Sequence, residues 1–235
     1  MLKVALCIFS CGLISFFVRA EDTAVCEQKI IYDIYINGFH TGELQRQIIQ
    51  KGAELSFLTR SNMSILGIGT TFYQTSNSRY ESQQKRYFTS EFYQVMTGFR
   101  NRTMKVNISA NGLDSHVLLN DKITKYRSKQ YLLQDMDTII MQLQLNVRLG
   151  KTHFYTLRQA TDEMELFEYQ VVGKETLSTQ NFGDLETIKV VEIQDRNVTF
   201  WFAPSLNYLM IKATNIKGWV LKGTTELKTY TDVCV

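Results

Sequence analysis

One proline, Pro204, and three histidines, His40, His116 and His153, stand in the 235 residues of this chain. With no Gly/Ser-rich or Pro-rich linker, the chain reads as one folded unit behind its N-terminal segment, and no stretch has the composition of disorder. Metal chemistry lacks its usual signature. None of the histidines has a second ligand at HxH or HExxH spacing, so all three read as structural. A GxSxG elbow, a P-loop and a GxGxxG turn are missing too, and Gly67-Ile68-Gly69 stands without a helical context. Asp33 and Glu43 would face each other across a hairpin, yet acids on strand surfaces are common. The expectation is a protein that is not an enzyme and uses no cofactor.

Long apolar runs are scarce as well. The one that stands out, Val4 to Val18, follows Lys3 and precedes Val18-Arg19-Ala20, after which Glu21 and Asp22 change the composition at once. A positive start, a short apolar core and a small residue before the cut describe a secretory signal over residues 1–20. Fifteen residues fall short of the ~20 that span a hydrocarbon core, so no stable membrane span is expected after cleavage. A lipidation site at Cys11 would put bulky Phe9 where a small residue is wanted, with the apolar run continuing past the cysteine.

Cleavage would remove Cys7 and Cys11 and leave Cys26 and Cys234, an even pair that reads as a disulfide in an exported chain. It would also remove Lys3 and Arg19, so that 24 basic residues face 23 acidic ones. Near-neutrality gives no support for nucleic acid or an anionic membrane as partner. The basic cluster Lys122, Lys125, Arg127 and Lys129 reads as a solvated edge strand or loop.

The dominant pattern is strand-like. Ile30, Tyr32, Ile34 and Ile36 alternate before a turn at Asn37-Gly38. Similar runs follow over residues 43–50, 87–96, 104–109, 113–119, 153–157, 166–172, 187–193, 198–202 and 209–213. Glycines and asparagines punctuate them, notably Gly42, Gly98, Asn111-Gly112, Gly150, Gly173, Gly183, Asp195-Arg196-Asn197 and Gly218. One segment breaks the pattern: Asp135 or Asp137 can cap a helix with the stripe Ile139, Ile140, Leu143 and Val147, ended by Gly150. Residues 61–80, rich in Ser, Thr, Asn and Gly, read as loop with irregular strand. Asn62, Asn101, Asn107 and Asn197 open Asn-X-Ser/Thr triplets and read as turn and strand-end residues. The fold expected over residues 21–235 is a single mainly β domain. In it an antiparallel meander forms a strongly curved sheet or partly closed barrel with one short helix.

Four stretches in order carry a resemblance: Tyr32 to Gly42, Phe92 to Phe99, Tyr169 to Glu175 and Trp201 to Lys212. Together they resemble the bacterial domain-of-unknown-function 3108 family of exported envelope proteins, over roughly residues 28–230. Leu209-Met210 departs from the leucine followed by proline expected there. The resemblance implies a periplasmic β-rich protein without a catalytic residue to carry over. The aromatics Tyr32, Phe92, Trp201, Phe202 and Tyr208 are the candidates for a pocket or core. Trp201 and Phe202 enter opposite faces, and Pro204 ends their strand. The expected role is non-catalytic: holding an apolar or lipid-like ligand, or acting as an envelope structural or assembly factor through a protein partner.

Overall fold

The computed structural model describes residues 24–65, 67–98, 101–194, 198–217 and 221–235. The signal at 1–20, Cys7 and Cys11, the turn at 195–197 and Gly218 lie outside the described residues. Eight strands come first: β1 (Val25–Ile36), β2 (Phe39–Lys51), β3 (Glu54–Ile65), β4 (Ile68–Glu81), β5 (Arg86–Thr97), β6 (Arg102–Ile108), β7 (Asp114–Leu119) and β8 (Lys122–Arg127). After them come the short β9 (Leu133–Gln134) and the helix α1 (Met136–Arg148). The chain then returns through β10 (His153–Gln159), β11 (Met164–Thr179), β12 (Gly183–Glu192), β13 (Val198–Ala203), β14 (Leu209–Lys217) and β15 (Leu221–Cys234).

All fifteen strands form one sheet, in the order β8 to β1 and then β15 down to β9. Consecutive strands pair antiparallel, as hairpins allow, whereas β9 joins the edge in parallel to β10. The two halves meet at a seam where β1 pairs with β15, and Cys26 stands opposite Cys234 at disulfide-bonding distance. The sheet curves round α1, which packs against β5 on one half and against β10 and β14 on the other. The hydrogen-bonded ladder does not close. Its two ends instead meet mainly through side chains: Phe92, Met104, Val106 and Val117 pack with Leu133 and Leu157, and Ser115 Oγ donates to Gln159 Oε1 at 2.6 Å. One backbone bond also runs from the Leu133 N–H to the Gly112 carbonyl at 2.8 Å.

The helix forms where its caps and stripe place it. Asp135 accepts from the backbone N–H groups of Asp137 and Thr138. Past the last turn Gly150 takes φ +70°, and the N–H of Lys151 reaches the carbonyl of Asn146. Ile139, Ile140, Leu143 and Val147 are buried against the sheet, each such side chain stabilising the fold by about 1.5–3 kcal/mol.

Residues 61–65 and 68–80 are not loop. They complete β3 and β4, which pair in register from Glu54↔Arg79 to Ile65↔Ile68. Their inward positions, Thr59, Ser61, Gln74, Ser76 and Ser78, are polar yet buried, so apolar alternation is missing where strands nonetheless form. Gly173 is likewise no turn: β11 runs through it, with a bulge between Val171 and Gly173. Gly42 also sits at a bulge, inside β2, because a Cβ there would run into the carbonyl of Asn62. Asn62 lies within β3 rather than at its end. β8 is an edge strand, as its lysines suggested. Pro204 ends β13 and opens a 3-10 turn over Pro204–Leu206.

Candidate functional site

The curvature leaves a cavity of about 400 Å³ beside the first turns of α1. Its wall is mostly apolar: Tyr32 and Ile34 from β1, Leu44 from β2, Phe72 from β4, Met136 and Ile140 from α1, Phe167 and Tyr169 from β11, and Phe200 from β13. Thr224 and Thr225 on β15 also line it, near the end of the seam opposite the Cys26–Cys234 pair. Tyr32 is fully buried and its hydroxyl donates to the Met210 carbonyl at 3.0 Å. Burial pushes that phenol up to about 12, so it stays protonated and keeps the bond.

A polar floor borders the apolar wall. Arg46 Nε lies 2.9 Å from Asp137 Oδ1, both side chains almost wholly out of water. Thr59 Oγ1 donates to Asp137 Oδ1 at 2.9 Å, and Gln74 Nε2 to Oδ2 at 2.7 Å. Asp135 receives Ser76 Oγ at 2.7 Å, Thr89 Oγ1 at 2.9 Å and Thr138 Oγ1 at 2.6 Å. Burial first, and then the neighbouring Asp137 charge, raise the Asp135 carboxyl above its ordinary range. The buried hydroxyls of β3 to β5 thus hold the helix N-terminus by hydrogen bonds, where apolar strands would leave two carboxylates without donors. Arg158 and Glu192 also reach the cavity.

Of the five candidate aromatics, Tyr32 lines this cavity. Phe202 is fully buried in the main core, and Tyr208 packs half-buried against it. Phe92 belongs to the second cluster that joins the sheet ends. Trp201 points to the other face, as alternation requires; its indole N–H donates to Glu175 and its ring lies 5.4 Å from Lys189 Nζ. Phe72, Phe167, Tyr169 and Phe200 are the rings that complete the wall. The strands of the last three were readable, but which phase faces a void depends on curvature, and Phe72 lies in the stretch read as loop.

Two of the three histidines pair with acids. His40 Nε2 is 3.1 Å from Asp33, and His153 Nε2 is 2.6 Å from Glu168. His116 stands in β7. Among the described residues no group of three His, Cys, Asp or Glu could hold a metal ion. Asp33 and Glu43 do face each other across β1 and β2, and Lys228 Nζ bridges them at 3.2 and 2.6 Å. Among the described residues no helix is long and apolar enough to cross a membrane.

Fold and cavity together define a β-rich protein whose rolled, unclosed sheet encloses an apolar hollow. The chain belongs to the family described as protein of unknown function DUF3108, which it matches over residues 31–216. It is also similar to a solved structure, the beta-barrel-like protein of domain of unknown function DUF1849 from Brucella abortus. That similarity has a TM-score of 0.55 at 10% identity, over 89% of this chain and 97% of the other. No curated protein matches the chain.

Proposed function

We propose that this protein is a non-catalytic periplasmic component of the cell envelope that holds an apolar or lipid-like ligand. The observation that carries the reading is the cavity of about 400 Å³ with its mostly apolar wall, within the usual range of ligand pockets. The signal-like residues 1–20 and the Cys26–Cys234 pair support an oxidising, exported setting. The wall removes an acyl chain from water. Native mass spectrometry of protein purified from its own envelope tests this. A releasable lipid-mass adduct is expected, and it should be lost in Ala213→Phe, which fills the cavity at β14. Repeatedly empty spectra, or an unchanged adduct in the variant, would count against it.

A second reading, an envelope assembly factor working through a protein partner, rests on edge strand β8, where Ile123 is 68% exposed on an unpaired edge. Crosslinking from position 123 should then capture a discrete partner.

A further inference from the structure

A second hollow, of about 370 Å³, lies on the other side of α1, and its character is opposite. Gln142 and Asn146 reach it from the helix, about half a turn away from Met136, Asp137 and Ile140 on the first cavity. Arg86 enters from the start of β5, Lys151 from just past the helix, and Tyr131, His153 and Tyr155 from the segments around β9 and β10.

The charges around it do not balance. Arg86 and Lys151 both line the cavity, and no Asp or Glu does. Glu81 stands opposite Arg86 across the hairpin but does not line the cavity. Glu168, the acid next to this wall, is taken up by His153 at 2.6 Å and by the Tyr155 hydroxyl at 3.0 Å. Lys151 accordingly sits below its ordinary range, through burial first and then through Arg86 and Lys85. An anion placed among these cations would relieve their repulsion. Two cations match a phosphate monoester, which carries about −1.5 to −2 near neutral pH, better than they match one carboxylate. The rings of Tyr131 and Tyr155, 5.6 Å apart and tilted, offer apolar faces to the carbon body of such a ligand.

We propose that this cavity binds a phosphoryl group carried on an organic molecule, the phosphate against Arg86 and Lys151 and the body against Tyr131 and Tyr155. The site stands apart from the apolar cavity and does not rest on what that cavity holds. The test is calorimetric titration of the mature chain at low salt with glucose 1-phosphate. Alongside it runs cosedimentation with phosphatidylcholine vesicles with and without phosphatidic acid, whose headgroup is a phosphate monoester. Saturable binding in either arm is expected, weakened about tenfold or more in the double variant Arg86→Gln, Lys151→Gln, which removes both charge-assisted contacts. Lys122→Gln, Lys125→Gln on β8 should leave binding unchanged. Binding of the sugar phosphate identifies a soluble ester, and binding confined to the anionic vesicles identifies a lipid headgroup. No binding in either arm, or equal binding by the Arg86/Lys151 variant, or equal loss in the β8 variant, overturns the proposal. The native-mass adduct of the apolar cavity should persist in the Arg86/Lys151 variant, which keeps the two readings separable.

Discussion

The two hollows flanking α1 have nearly equal volumes, about 400 and 370 Å³, but opposite ways of treating charge. On the side of Met136 and Ile140, charged groups are withdrawn from water and answered inside the fold: Arg46 meets Asp137, and hydroxyls from two strands, β4 and β5, meet Asp135. On the side of Gln142 and Asn146, Arg86 and Lys151 stand exposed, and no Asp or Glu lines the hollow with them. A charge neutralised internally holds the architecture together, whereas one left unanswered is free for a ligand. Substitutions on the two sides should therefore separate stability from binding.

The largest effect is expected at Arg46→Ala. It leaves Asp137 buried with its cation gone, and such a loss costs about 3–5 kcal/mol. The double variant Arg46→Met, Asp137→Leu removes both charges and should recover most of that, as measured by urea denaturation. If the single and double variants lose equally, the pair does not act as an internally balanced unit. Next in size is Asp135→Ala, which removes the cap of α1 and the acceptor for Ser76, Thr89 and Thr138; about 2 kcal/mol is expected.

Asp135→Asn keeps a capping side chain and tests the pH dependence. The folded carboxyl is raised above its ordinary 3.8 by burial and by Asp137, with the Arg46 cation beyond that acid. Below the unfolded value both states are protonated and Asp135 contributes its full stability. As pH rises, the unfolded chain ionises first, so that contribution is lost up to the folded value. The unfolding free energy of the wild type, relative to Asp135→Asn, should thus fall between acidic and neutral pH. A flat difference would show that the hydroxyl donors fully offset the burial.

How much of this was legible depended on whether local pattern carried the information. The alternation of Ile30, Tyr32 and Ile34 and the apolar stripe of α1 behind a cap at Asp135 or Asp137 each announced their structure within a few residues. The strands β3 and β4 did not, because Thr59, Gln74 and Ser76 face inward to serve the helix terminus some sixty to eighty positions away. Polar inward positions erase the period that marks a strand. The aromatics failed for a related reason. Alternation indicates that Phe202 is buried and that Trp201 takes the other face, but a void is a property of curvature across many strands. The cationic hollow is assembled from four separate segments, none of them unusual alone.

The smallest effect is expected at Lys151→Gln, and its sign carries the argument. Removing one of several mutually repelling cations should leave stability within about 0.5 kcal/mol, on the stabilising side, since the site is largely exposed and screened. Because repulsion is its source, the gain should shrink as ionic strength rises and the Debye length falls toward about 3 Å at 1 M salt. Addition of glucose 1-phosphate should stabilise the wild type more than this variant, reversing their order in a thermal melt. A loss of stability comparable to that of Arg46→Ala would instead mean that Lys151 supports the fold, and the contrast between the two sides of α1 would collapse.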